Sequence, residues 1–293
     1  MSQLNECAVS QDAERLREFQ LFQLDILKEF ARVCELHDLR WWLGFGTLLG
    51  AARHQGFIPW DDDIDVVMPS DDYLKFREAC EQSLGEDFYF QSHGANPCNF
   101  IAWQRIGVKN STSLPYEYAD VHGEWGICID VFPSFPNAEP GNPDRDKRIG
   151  QINAINRLSA KYQYRHEAPQ QESLARKAYY GLMGAMPDAL NLHLWNKTLR
   201  KLLIPFDREV YDHVSVCFGE FEVFPAELFT STVLLPFEDM MCPVPVGYER
   251  YLELAYGPDW RELPPVEKRV WHSGGGSDEV LVSLTEPYEK FLK

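Results

Sequence analysis

Trp60-Asp61-Asp62-Asp63-Ile64-Asp65-Val66-Val67-Met68 puts four carboxylates within five residues and then turns apolar and β-branched. Its second half has the composition of a buried strand. Side chains alternate along a strand, so Asp63, Asp65 and Val67 are expected on one face, with Ile64 and Val66 on the other. Two carboxylates so placed stand about 7 Å apart, at a rise of about 3.3 Å per residue. Burying them costs free energy, and they repel each other, so the arrangement calls for a proton or a cation. A hard divalent cation with oxygen ligands, Mg2+ or Mn2+, is the simplest compensation. Mg2+ is commonly held by one or two carboxylates plus substrate phosphates.

On the N-terminal side runs Gly44-Phe45-Gly46-Thr47-Leu48-Leu49-Gly50-Ala51-Ala52-Arg53, a glycine turn leading into a short helix that Gly56 to Pro59 ends. A dinucleotide-binding motif is a poor match, because Pro59 and the short interval leave no room for the helix of a βαβ unit. A turn whose backbone N–H groups and Thr47 hydroxyl hold a phosphate fits better, with Gly46 and Thr47 in contact. Arg53 and His54 are then candidates to neutralise donor phosphates. Trp60 is a candidate substrate contact among several aromatics near these motifs, with Trp41, Trp42, Trp103, Tyr116, Tyr118 and Trp125. One or two of them could box a quaternary ammonium. The calcium-loop pattern fails for want of its glycine and distal glutamate.

A third carboxylate lies in the apolar run Ile127-Cys128-Ile129-Asp130-Val131-Phe132, a setting like that of Asp65. If the two strands are neighbours, Asp63, Asp65 and Asp130 converge on one patch. Phosphoryl and nucleotidyl transferases hold Mg2+ and orient an attacking hydroxyl in this way.

The rest of the chain reads as follows. A long amphipathic helix is expected from about Asp12 to Leu39, and a short strand from Arg40 to Leu43. Ser70 is expected to cap a helix over Asp71 to about Leu84. Strands are expected at Phe88 to Gln91, Phe100 to Val108 and Gly126 to Phe132. The last should end at Pro133, with a loop over 133–143. Residues 144–203 read as helices interrupted near Pro169 and Pro187, and 220–246 as short extended pieces punctuated by proline. Tyr248 to Tyr256 reads as a helix stopped by Gly257-Pro258, and Gly274-Gly275-Gly276-Ser277 as a joint before the tail. The expected division is 1–140 (first helix and catalytic core), 141–210 (helical segment) and 211–293 (strands and a helix completing the same unit).

With 293 residues, 45% of them hydrophobic, the chain can bury a substantial core. A net charge of -17 argues against a general nucleic-acid binder, which needs a basic field. Arg145 to Lys201 differs, with eleven Lys or Arg against four Asp or Glu. It reads as a solvated face or, more sharply, as a platform for an anionic acceptor or a membrane surface through Arg157, Lys161 and Arg165. Seven scattered cysteines without a C-x-x-C pair point to a reducing compartment and no zinc site. His122, His166 and His272 show no ligand spacing. No signal peptide or membrane-spanning run is apparent, so a cytoplasmic protein is expected, peripheral at the inner membrane face at most.

Several of these residues resemble the signature of the LicD family. They are Gly46-Thr47-Leu48-Leu49-Gly50 through Arg53, Gly56-Phe57-Ile58-Pro59-Trp60-Asp61-Asp62-Asp63-Ile64-Asp65, and Met68. Ile129-Asp130-Val131-Phe132-Pro133, Pro236-Phe237-Glu238, Pro245-Val246-Gly247-Tyr248, Tyr251-Leu252, Tyr256-Gly257, Leu263-Pro264-Pro265, Glu267-Lys268-Arg269 and His272 resemble the family's later motifs. The resemblance implies an α+β fold, a polymerase-β-like nucleotidyltransferase core of mixed sheet flanked by helices, here with a helical insertion. It also implies transfer of a phospho-alcohol from a CDP-activated donor to a hydroxyl of a cell-surface glycan or glycolipid. Phosphocholine from CDP-choline with release of CMP leads, toward a lipopolysaccharide, teichoic acid or capsule precursor. Ribitol phosphate, glycerol phosphate or aminoethylphosphonate are alternatives. On this basis Asp63 and Asp65 would ligate Mg2+, Asp130 would complete the metal site or act as general base, Gly46 and Thr47 would contact phosphate, and Arg53 would support them. The chain's Gly46-Thr47 departs from the Gly-Ser or Gly-Gly of the wider fold, and no counterpart appears of the zinc loop of fukutin-related proteins. Two rival classes are a nucleotidyltransferase moving NMP from an NTP, which would release pyrophosphate, and an inactive nucleotide-binding module.

Overall fold

The computed structural model describes residues 2–93, 101–115, 119, 123–139, 141–160, 174–203, 211–218, 223–269 and 280–292. His122, His166, His272, Tyr116, Tyr118, Lys161, Arg165 and the 274–277 joint lie outside them. α1 (Ser2–Leu36) begins earlier than its apolar spacing predicts and stops three residues sooner. Its buried stripe of Phe19, Ile26, Leu27, Phe30 and Val33 packs into the main core. β1 (Trp42–Leu43), α2 (Phe45–His54), β2 (Asp65–Pro69), α3 (Ser70–Ser83), β3 (Phe88–Ser92), β4 (Gln104–Val108), β5 (Thr112–Pro115) and β6 (Cys128–Asn137) follow. Ser70 is the first residue of α3, not its cap: Pro69 takes that place and no side chain caps the helix. Asp71 and Asp72 sit in its first turn, where the helix dipole favours negative charge.

A mixed sheet runs β1-β2-β6-β4-β3, with β2 and β6 parallel and the other neighbours antiparallel. β7 (His213–Val216) pairs with the far half of β6, and β8 (Val223–Pro225) with β7. The sheet with its flanking helices gives an α+β architecture.

β6 corrects the expected loop over 133–143, because it runs through Pro133 and Pro136 to Asn137. The reason is a change of partner. Its last pair with β4 is Gln104↔Val131 and its first with β7 is Ser134↔Val216. Pro133 falls in the gap, where a missing N–H costs no ladder bond.

α4 (Pro143–Ser159), α5 (Leu174–Ala185) and α6 (Asp188–Leu202) form the helical segment. α4 has Asn142 as its cap, whose side chain accepts from the Asp144 amide, and Pro143 in its first turn. Arg148 donates to the Leu202 carbonyl and Trp195 to the Ser159 hydroxyl, tying α4 to α6. β9 (Thr232–Phe237) and β10 (Met240–Pro245) form a hairpin, followed by α7 (Tyr248–Tyr256). β11 (Val280–Ser283) pairs with β5 far from it in sequence. Among the described residues no helix is long and apolar enough to cross a membrane.

Candidate active site

Sheet register brings the acids together. Asp65 is the partner of Asp130 across the parallel β2–β6 pair, and Asp130 is the partner of Arg105 across β6–β4. Residues in register share a face, so Asp65, Asp130 and Arg105 form one row, each step about 5 Å. Gln91 of β3 extends the row beyond Arg105. Arg105 Nε donates to Asp130 Oδ1 at 2.5 Å, leaving Oδ2 the less engaged oxygen, at 3.5 Å from Nη2. Asp63 lies in the segment just before β2 and not within the strand.

Glycine and threonine do specific work here. The Asp65 amide donates to Thr47 Oγ1 at 2.9 Å, and Gly44 donates its amide to the Asp65 carbonyl at 2.9 Å. The start of α2 is thereby pinned to the start of β2. Thr47 is buried, and its hydroxyl oxygen serves Asp65. A Cβ on Gly46 would come within 2.8 Å of Asp61 Oδ2, so the first turn of α2 accepts a carboxylate against bare backbone. Asp61, to which no role fell on sequence grounds, therefore belongs to the site.

One face of α1 clamps the acidic loop. Arg17, Gln20 and Gln23 recur every three residues. Gln20 Nε2 donates to the carbonyls of Asp61, at 2.8 Å, and Ile58, at 3.2 Å. Gln23 Nε2 donates to the Cys128 carbonyl at 3.2 Å. Arg17 pairs with both oxygens of Glu238, at 2.9 and 2.5 Å, and Glu238 Oε1 accepts the Phe57 amide at 3.1 Å. Glu238 sits at the β9–β10 turn with φ of 56°, a left-handed conformation, and a Cβ on Gly56 would collide with its carboxylate.

The acids carry little compensating charge. Burial, then Asp61, Asp130 and Asp62, push the Asp63 carboxyl up to about 8. Burial pushes Asp61 up to about 6, against a hydrogen bond with Asp63 that lowers it. Asp65 is raised well above the usual range by burial and then by Asp63, Asp130 and Asp61, with Arg105 opposing. Tyr256 is raised by burial and then by Asp65, Asp61 and Asp63, which places its hydroxyl in their field.

Among the described residues no three His, Cys, Asp or Glu side chains stand in ready metal-ligand geometry. The donor set still suits a hard cation. It is all oxygen, half-buried and negative, and among the described residues no cation acts on Asp61 or Asp63. A cavity of about 420 Å3 opens beside Asp63, Asp130 and Arg105, walled by Trp103, Trp125 and Gln23.

The remaining candidates stand apart from the row. Arg53 Nη1 donates to the carbonyls of Trp260 and Glu262, both at 3.0 Å, and pairs with none of the acids. Trp60 meets the His54 ring edge-on at 6.1 Å and lies under the Arg269 guanidinium. Sequence reasoning missed Arg105, Asp61 and the α1 clamp. Only Arg105 left a signal, the one charge in a predicted strand that is apolar but for it and Gln104.

Residues 38–145 match the family model described as LicD/FKTN/FKRP, nucleotidyltransferase domain. Over 270 residues, 88% of this chain and 95% of the relative, the sequence is 28% identical to the lipopolysaccharide cholinephosphotransferase LicD of Haemophilus influenzae. Over 68 residues, 22% of this chain and 13% of the relative, it is 44% identical to ribitol 5-phosphate transferase FKRP of Homo sapiens.

Proposed function

We propose, for a chain whose residues 38–145 match the LicD/FKTN/FKRP nucleotidyltransferase domain model, that it transfers a phospho-alcohol from a CDP-activated donor to a hydroxyl of a glycan or glycolipid. The observation that carries this is the in-register row of Asp65, Asp130 and Arg105, with Asp63 and Asp61 at its end. Two relatives act on phospho-alcohols, one on phosphocholine and one on ribitol phosphate. Phosphocholine is the first choice, because the relative named for it spans nearly the whole chain.

Asp63 and Asp65, with Asp130, would hold a Mg2+ or Mn2+ ion, which when bound supplies charge neutralisation for the departing CMP. Arg105 fixes the Asp130 carboxylate through Oδ1. Its Oδ2 is left to accept the proton of the attacking hydroxyl as the new O–P bond forms and the bond to CMP breaks. Thr47 and Gly46 set the start of β2 and the seat of Asp61, and so orient the acids. Trp103 and Trp125 shelter the reacting hydroxyl from water on one side. The helical segment serves peripheral contact with an anionic membrane or acceptor, as its local excess of Lys and Arg suggests.

The test is a panel of CDP-choline, CDP-ribitol and CDP-glycerol incubated with the protein and Mg2+, reading CMP release. CMP from one member, none without metal, is the expected result. Pyrophosphate release from CTP instead would replace this reading with nucleotidyl transfer.

A further inference from the structure

Gln23 and Trp103 both wall the cavity of about 420 Å3 beside Asp130, and each keeps one polar atom unused. Gln23 is only 3% exposed, and its Nε2 is spent on the Cys128 carbonyl. Its Oε1 and the Trp103 Nε1 are buried and find no hydrogen-bond partner among the described residues. Buried polar atoms are nearly always paired in native structures, because an unpaired one keeps its full desolvation cost. An unpaired acceptor and an unpaired donor on the wall of one cavity point to a ligand that can donate and accept. The walls are fixed independently of any ligand. The Trp103 ring lies 5.1 Å from that of Phe132 at a 43° tilt, with the Arg105 guanidinium 5.8 Å from its centre. Trp125 packs in a small cluster with Leu114 and Tyr288, and the Tyr288 hydroxyl donates to Glu124 Oε2 at 2.7 Å.

We infer that this cavity seats one sugar ring of the acceptor, with Gln23 Oε1 and Trp103 Nε1 bonded to hydroxyls beside the one that reacts. A sugar hydroxyl both donates and accepts, so two of them answer both unpaired atoms. The indole faces of Trp103 and Trp125 offer flat apolar surface to the C–H side of the ring. A trimethylammonium group also suits aromatic walls, but it brings no N–H or O–H for Gln23 and no acceptor for Trp103. The aromatic walls fit either ligand, and the two unpaired atoms choose the sugar. Asp130 lines the same cavity, so a ring seated there has its hydroxyls on the side of the carboxylate that takes the proton. That the ring belongs to the acceptor rests on the proposed function, whereas recognition of a polyhydroxylated ring does not.

Saturation-transfer NMR on the 293-residue chain tests it with the methyl pyranosides of glucose, galactose, mannose and their N-acetylamino forms, with choline and cytidine as competitors. At least one pyranoside should bind, and neither choline nor cytidine should displace it. One monodeoxy form of that sugar should bind wild type about tenfold more weakly, because it leaves the Gln23 oxygen unpaired. Gln23→Met should bind the parent and that deoxy sugar alike, a loss of discrimination that a merely structural glutamine would not produce. Trp103→Phe is the second variant. It keeps an aromatic wall and drops the N–H, and it should lose discrimination at a different ring position. A chain that binds no pyranoside, or variants that discriminate as wild type does, overturn the subsite, as does displacement of the sugar by choline or cytidine. CMP release from a CDP-alcohol with no pyranoside bound removes the subsite and leaves the proposed function standing. Sugar binding that depends on Gln23, without CMP release from any donor, supports the subsite and removes the donor reading instead.

Discussion

Asp63 and Asp65 pay a folding penalty that a bound cation would lift, so their substitutions should separate stability from activity. Asp63→Asn replaces a half-buried carboxyl, pushed up to about 8, with a neutral amide that has no charge to bury. A carboxyl with a raised folded pKa destabilises increasingly as pH rises from its unfolded value, about 4, toward that pKa. In EDTA the variant's melting temperature should therefore equal or exceed wild type at pH 7, with a margin that grows from pH 4 to about 8. Turnover with Mg2+ should fall at least 100-fold. A variant that melts lower in EDTA, or keeps near wild-type turnover, contradicts the assignment. Arg105 makes the companion case. Arg105→Met leaves Asp130 without its 2.5 Å donor, and transfer should drop at least tenfold, only partly restored by Arg105→Lys, which cannot present two nitrogens along the carboxylate edge. Asp65 and Asp130 were legible from their shared setting of acid within apolar strand. Arg105 was not, because its value lies in register across β4 and β6, and a single sequence does not state which strands are neighbours.

Thr47 and Gly46 show how α2 and β2 are built as one unit, and Gly46→Ala tests it. The added methyl would sit 2.8 Å from Asp61 Oδ2. Asp61 must shift, and the expected result is a loss of one to two orders of magnitude in kcat with about 1–2 kcal/mol of stability lost. The α1 clamp is tested through pH. The Glu238 carboxyl lies below its ordinary value, first because Arg17 donates to it, against burial, and then because the Phe57 amide does. A depressed carboxyl stabilises above its unfolded pKa, and that stabilisation is lost as pH falls through the folded pKa. Glu238→Gln should melt several degrees below wild type at pH 7, and the gap should close below about pH 4. A gap constant with pH would mean that the charge is irrelevant. The amphipathic run of α1 was plain in sequence, but its polar face of Arg17, Gln20 and Gln23 looks like any solvated surface until its partners are placed. Pro133 misled for the opposite reason: proline usually ends a strand, and here it marks the point where β6 exchanges one neighbour for another.

Helices at Pro143–Ser159, Leu174–Ala185 and Asp188–Leu202 agree with the helical reading of 144–203, whereas what they touch was not legible. α5 leaves Leu174 87% and Leu182 72% exposed, next to Lys177 on the same helix. Exposed leucine beside basic charge suits an interfacial contact. The 293-residue chain should float with phosphatidylglycerol vesicles at low salt, and Leu174→Ser with Leu182→Ser should reduce that at least fivefold. Binding unchanged by both substitutions would remove the membrane role. The way this segment is attached bears on how it can change. β6 ends at Asn137, the chain leaves for α4 to α6, and it returns on β7, whose His213 is the register partner of Asn137. Seventy-odd residues thus depart from and rejoin the sheet at two adjacent points, closed like a zip by the four pairs from Ser134↔Val216 to Asn137↔His213. Helices can be lengthened, swapped or reshaped beyond that zip while the Asp65–Asp130 register stays where it is. Such an arrangement lets the chemistry be inherited intact while the part that meets other surfaces is free to diverge.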